Sequence, residues 1–213
     1  MKLSTLYDSL ALLFSTFIFT SFSVNAQHTS SHLHQQNTDT NKKNIFISMM
    51  DAMMVGMDEA VVGISPEHDF TVQMIPHHQG AIEMAAYEIE HGKNFEMIQL
   101  AKSIQAEQKI ELQQMKLFIK NSPAGITLMP KEYKTAMDKS MAVMMENMPN
   151  NSELKDVDIA FARVMIPHHQ AAIDMAKVVL QFSKNQLTNA FAKHIISSEK
   201  IEIEQMLSFI SKQ

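Results

Sequence analysis

From residue 44 onward, apolar residues recur at intervals of three and four rather than two, and helix formers outnumber β-branched runs. This spacing predicts helices throughout. A short one covers roughly Ile45 to Met57. A second begins near Ser65-Pro66-Glu67, where Ser can cap and Pro can occupy the first turn, and Gly92 can end it. A third runs from about Asn94 to Lys120, and Asn121-Ser122-Pro123-Ala124-Gly125 stops it.

The pattern then repeats. Sliding the sequence against itself by 91 residues aligns Met74-Ile75-Pro76-His77-His78-Gln79 with Met165-Ile166-Pro167-His168-His169-Gln170. At the same offset Glu67 meets Asp158, Phe70 meets Phe161, and Ala81-Ile82-Glu83-Met84-Ala85 meets Ala172-Ile173-Asp174-Met175-Ala176. Lys109-Ile110-Glu111 falls on Lys200-Ile201-Glu202, and Met50, Met53, Met54 and Met57 fall on Met141, Met144, Met145 and Met148. Two helical repeats, 44–121 and 135–213, joined by a linker over 122–134, are therefore expected in one bundle domain. The fold class that follows is all-α: a four-helix bundle from two tandem repeats, each preceded by a short Met-rich helix lying against one end.

The start of the chain does not belong to this pattern. Residues 1–26 read as a secretory signal, with Lys2, an apolar run from Leu10 to Phe22 and a Val24-Asn25-Ala26 cleavage pattern. Residues 27–43 are rich in Gln, Asn, Ser, Thr and His and read as a disordered tail. No later segment reaches the length of a membrane span, so the expected location is the periplasm or beyond, with no stable membrane insertion after cleavage. Net charge is −5, which gives no electrostatic footprint for nucleic acid. There is no cysteine, so disulfides, thiolate nucleophiles and cysteine-ligated metals are excluded.

The candidate chemistry lies in histidine and methionine. Adjacent helical residues project about 100° apart, so His77 and His78, like His168 and His169, split between two faces and all four are not expected to converge. Met74 and Met84, with Met165 and Met175, share those faces. Pro76 and Pro167 either kink a helix beside the imidazoles or mark its first turn. Ala81 and Ala172, one turn on, would leave room for a close helix or an ion.

Nineteen methionines are an unusual number. Met50, Met53, Met54 and Met57 occupy one face of a short helix, and Met141, Met144, Met145 and Met148 repeat that spacing. Methionine is also an adaptable core filler, and these side chains are open to that reading. A thioether, however, is neutral and soft and binds Cu(I) without losing a proton, while imidazole suits both Cu(I) and Cu(II). In an exported chain without cysteine, the combination points to a copper ion, Cu(I) first and Cu(II) second. His28 adds a candidate Cu(II) ligand, since cleavage after Ala26 makes it the second residue, beside a free amine. Glu111 and Glu202 can each orient a histidine, but solvated surface carboxylates near Lys109 and Lys200 are the preferred reading.

Glu67/Asp158, Phe70/Phe161, the Met-Ile-Pro-His-His motif and Ala-Ile-x-Met-Ala together resemble a bacterial family of exported ferritin-like helical bundles, long catalogued as a domain of unknown function. Some members are periplasmic copper-binding proteins of the CopM type. The resemblance implies a ferritin-like bundle and a role in copper buffering, sequestration or tolerance through Met- and His-rich sites. Glu67 stands where the family pattern has Asp.

Two other classes compete. A di-iron oxidase needs two Glu-x-x-His elements and two further Glu, and only Glu88-Ile89-Glu90-His91 fits, so no enzyme is expected. A Met-rich exported bundle could instead hold protein clients by adaptable packing. The expected partners are copper ions, with a second copy of the chain or a copper-transfer protein compatible with the sequence.

Overall fold

A computed structural model describes residues 43–121 and 129–213; the predicted signal, nearly all of the tail with His28, and most of the linker lie outside the described residues. Six α-helices account for the architecture: α1 (Ile45–Asp58), α2 (Pro66–His91), α3 (Phe95–Asn121), α4 (Lys131–Glu146), α5 (Val157–Phe182) and α6 (Gln186–Ile210). A 3-10 turn, Asn151–Glu153, precedes α5. Among the described residues there is no strand.

Helix boundaries follow local chemistry. The side chains of Asn44, Ser65, Asp156 and Asn185 accept backbone N–H groups that the first turns of α1, α2, α5 and α6 leave unpaired. Pro66 fills the first position of α2, and Gly92 ends that helix. Asn44 also donates from its side chain to the Leu154 carbonyl at 2.9 Å, tying the start of α1 to the turn before α5.

α2 packs with α3 and α5 with α6 as hairpins, and α2 lies against α5. The first-turn acids explain how the hairpins lock together. Asp158 at the start of α5 accepts the backbone N–H groups of Lys93 (2.9 Å) and Asn94 (2.8 Å), the turn between α2 and α3. Glu67 at the start of α2 bonds Ser183 and the Lys184 backbone in the turn between α5 and α6. Each repeat thus caps the other's turn. Those hydrogen bonds hold the Glu67 carboxyl below the usual carboxylate range, against the opposing effect of its burial.

The Met-rich helices lie along the flanks of the bundle instead of against one end. α1 runs antiparallel to α2, with Phe46 edge-on to Tyr87 (5.3 Å between ring centroids) and Gly56 beside Pro76. Gly80 allows the approach, since a Cβ there would meet the Met53 Cβ at 3.0 Å. α4 runs likewise along α5, with Tyr133 edge-on to Phe182 and its hydroxyl donating to the Pro66 carbonyl at 2.9 Å. A flanking position buries the apolar stripe of a short helix along its length, which an end-on position would not.

Candidate metal centre

Both motif prolines sit inside long helices, so the reading that they mark a first turn is excluded. Each removes one backbone hydrogen bond and frees the carbonyl four residues earlier, that of Val72 or Arg163. The histidine pair follows immediately. At mid-helix, where α2 faces α5, the four imidazoles fall in the bundle's centre, and each of the four residues has 0% exposure.

The predicted split between faces is present, but it does not keep the four rings apart. His77 and His168 point across the α2–α5 contact and meet with ring centroids 3.8 Å apart. His78 and His169 turn toward the following helices, with ring centroids 6.4 and 5.7 Å from their neighbours in sequence. The repeats are placed so that one histidine of each pair faces its counterpart, which joins both pairs into a single cluster. That juxtaposition is tertiary: it brings His77 and His168 together, while His78 and His169 stay directed at α3 and α6, so the four do not converge on one point, as expected.

Burial, followed by the neighbouring imidazoles, holds the His77 and His168 rings well below the ordinary histidine range, so both are neutral at neutral pH. His168 Nε2 lies 3.1 Å from the His77 carbonyl, to which it donates, and this leaves Nδ1 as the lone-pair nitrogen. His77 has no hydrogen-bond partner at either nitrogen. His78 Nε2 lies 2.8 Å from Glu111 Oε2, while its Nδ1 has no hydrogen-bond partner. His169 Nε2 sits 2.9 Å from Glu202 Oε2.

Glu111 and Glu202 are therefore buried, at 3% and 7% exposure, and face histidines. The preferred reading of both as solvated carboxylates was wrong; Lys109 bonds Gln105 instead of Glu111. One ring nitrogen held by a carboxylate with the other left free is how proteins present histidine to a metal. Between these pairs Gln108 Nε2 donates to Glu199 Oε1 at 3.1 Å. Burial, then the nearby carboxylates Glu202, Glu111 and Glu107, pushes Glu199 well above the usual range, so it is held as the neutral acid.

The methionines divide. Met50, Met53, Met57, Met74, Met84, Met144, Met165 and Met175 are buried within the apolar core, which is the core-filling role left open by the sequence. Met54, Met141 and Met148 are half-buried against that core, and Met145 is exposed. Met74, Met84, Met165 and Met175 lie on the histidine-bearing helices, whereas the flanking sulfurs belong to α1 and α4. Glu88 and His91 do not join this centre: His91 stacks on Tyr87 (3.9 Å between centroids), and Glu88 is buried near Asp158.

Comparison with known proteins gives this arrangement a family. The family described as "Domain of unknown function (DUF305)" matches residues 21–119 and 67–210, spans that between them take in both histidine pairs. The chain belongs to this family. The structure is similar to CopM in its apo and Cu(I)-bound forms, each with 27% sequence identity, a TM-score of 0.52, and coverage of 68% of this chain and 96% of CopM. It is also similar to a DUF305 fragment from Deinococcus radiodurans, at 23% identity and a TM-score of 0.51, covering 70% of this chain and 99% of that one, a likeness of fold alone. No curated protein matches the sequence. Among the described residues, no helix of this DUF305 protein is long and apolar enough to cross a membrane.

Proposed function

We propose that this DUF305 protein is an exported copper-binding protein that takes up Cu(I) through histidine and methionine, accommodates Cu(II), and buffers or sequesters the metal without catalysis. The observation that carries the reading is the buried imidazole cluster at the α2–α5 contact, in which His77 and His168 are held neutral and His77 and His78 keep nitrogens without hydrogen-bond partners. A buried polar nitrogen without a partner is costly, and a soft or borderline ion is the ligand its lone pair suits. CopM, similar in fold and sequence, has been solved in Cu(I)-bound, Cu(II)-bound and Ag-bound forms. Thioethers on the same helices and flanks extend the donor set with groups that bind Cu(I) at any pH in which the fold survives. The sequence pattern of residues 1–26, read above as an expected secretory signal, and the His-containing stretch that follows are the grounds for placing uptake outside the cytoplasm.

The test is competition for Cu(I) against a colourless chelator, using the mature chain. Wild type is expected to withdraw Cu(I) stoichiometrically. His77→Ala with His168→Ala, and separately Met→Leu at 50, 53, 54 and 57 with 141, 144, 145 and 148, should each lower the number or affinity of bound ions. Undiminished capture after both sets of changes sinks the ligand assignment, and absence of capture by wild type sinks the function.

A further inference from the structure

We propose that Glu107, Glu111 and His194 form a second, outer divalent-cation site on the α3–α6 face, sharing Glu111 with the His78 contact. Each of these residues offers one ligand atom, and the atoms lie within 4.8 Å of one another. Glu107 and Glu111 are one turn apart on α3, and His194 reaches across from α6 with Nε2 3.2 Å from Glu107 Oε1 and 3.5 Å from Glu111 Oε1. The side chains grade from solvent inward: His194 is 53% exposed, Glu107 31% and Glu111 4%. An ion can enter from water and rest on Glu111.

The Glu111 carboxylate supplies the second observation. Its Oε2 is held by His78, but Oε1 is buried, lacks a hydrogen-bond partner, and is aimed at His194. A bridging cation would complete it. A histidine pairing with two carboxylates could alone be a surface ion pair, but such pairs contribute little and would not leave a buried oxygen without a donor. One imidazole nitrogen with two carboxylate oxygens suits a borderline divalent ion of the Zn(II) or Cu(II) class, whereas Cu(I) favours thioethers and Mg(II) demands an all-oxygen octahedron.

The duplication provides an internal control. At the offset of 91, Glu111 corresponds to Glu202, but Glu107 corresponds to Ser198 and His194 to Ser103. The second copy therefore keeps the buried carboxylate and lacks the two outer ligands. Glu107→Ser with His194→Ser copies into one face residues that the other already carries, so the fold is expected to survive.

Zn(II) is titrated calorimetrically into the mature wild-type chain and into this double variant, with Cu(I) capacity measured alongside. Histidines of the N-terminal tail are present in both proteins and cancel in the difference. The variant is expected to lose one Zn(II) equivalent, or to bind that equivalent at least tenfold more weakly, and to lose the corresponding Zn(II)-induced rise in Tm, while Cu(I) uptake is unchanged. Equal Zn(II) stoichiometry and affinity in the two proteins overturns the site. Because Cu(I) is read independently, failure here is distinguishable from failure of the copper function.

Discussion

The two repeats are alike at the centre and differ around it. His78 with Glu111 and His169 with Glu202 stand in matching places, at 2.8 and 2.9 Å. One turn before each glutamate the copies diverge: α3 carries Gln108 where α6 carries Glu199, and the two bond each other. Farther out, Glu88 corresponds to Val179 and Gly80 to Ala171. A duplicated bundle brings equivalent positions face to face across its pseudo-symmetry, so two identical carboxylates at 108 and 199 would confront each other in a buried setting. The amide at one position lets the pair form a hydrogen bond. Symmetry is kept where imidazole and carboxylate complement each other and broken where like groups would meet.

The largest expected effect tests the symmetric part. Glu111→Ala strands the buried His78 N–H and is expected to cost about 3 kcal/mol in chemical denaturation. Glu202→Ala should cost less, because the His169–Glu202 contact is at ion-pair distance without the geometry of a hydrogen bond. Equal losses would show that the two pairs are energetically the same despite this difference.

The asymmetric Glu88 should reveal itself in pH dependence. Burial first, then Asp158, pushes its carboxyl up to about 8 from an ordinary 4.5. A raised acid contributes stability that is fully present below pH 4.5 and lost as pH rises through about 8. Glu88→Gln should therefore be nearly neutral at pH 4.5 and increasingly stabilising toward pH 8.5, with unfolding midpoints compared across that range. No gain at high pH would mean that the carboxyl is solvated. His77 and His168 act in the opposite direction: with folded pKa values well below 6.5, their contribution is complete above that pH and declines as pH falls.

A smaller effect separates the flanks. Gly80→Val should cost about 2 kcal/mol, because a branched side chain drives into Met53. Ala171→Gly, the reciprocal change on α5, should cost about 1 kcal/mol through helix propensity alone. Comparable losses would show that α1 and α4 pack equally close. The smallest change is expected for Glu199→Gln at neutral pH, within about 0.5 kcal/mol, since the amide replaces an acid already held neutral; a large loss would place a charge at that position.

Much of the site was legible in the chain. The offset of 91 brings both histidine pairs, the matching carboxylates and the paired Met-rich segments into register in the sequence itself. Glu111 and Glu202 are glutamates, a type that favours the surface, at positions that belong to buried stripes. Glu111 follows Ile104 and Gln108 in the buried stripe of α3 and precedes Met115, while Glu202 lies between Ile195, Glu199 and Met206 in that of α6, all at helical spacings of three and four. His194 could not be assigned from sequence, since its ligand partners lie on α3.

Periodicity and duplication by themselves determined the helices, their approximate ends and the repeated plan, because local spacing and caps are written along the chain. Only the tertiary structure decided that His77 meets His168, that each repeat's first-turn acid caps the other's turn, and that α1 and α4 lie along the flanks. Those outcomes depend on how two copies face each other, and that geometry is set by long-range packing at positions such as Gly80, where the absence of one Cβ determines how closely two helices approach.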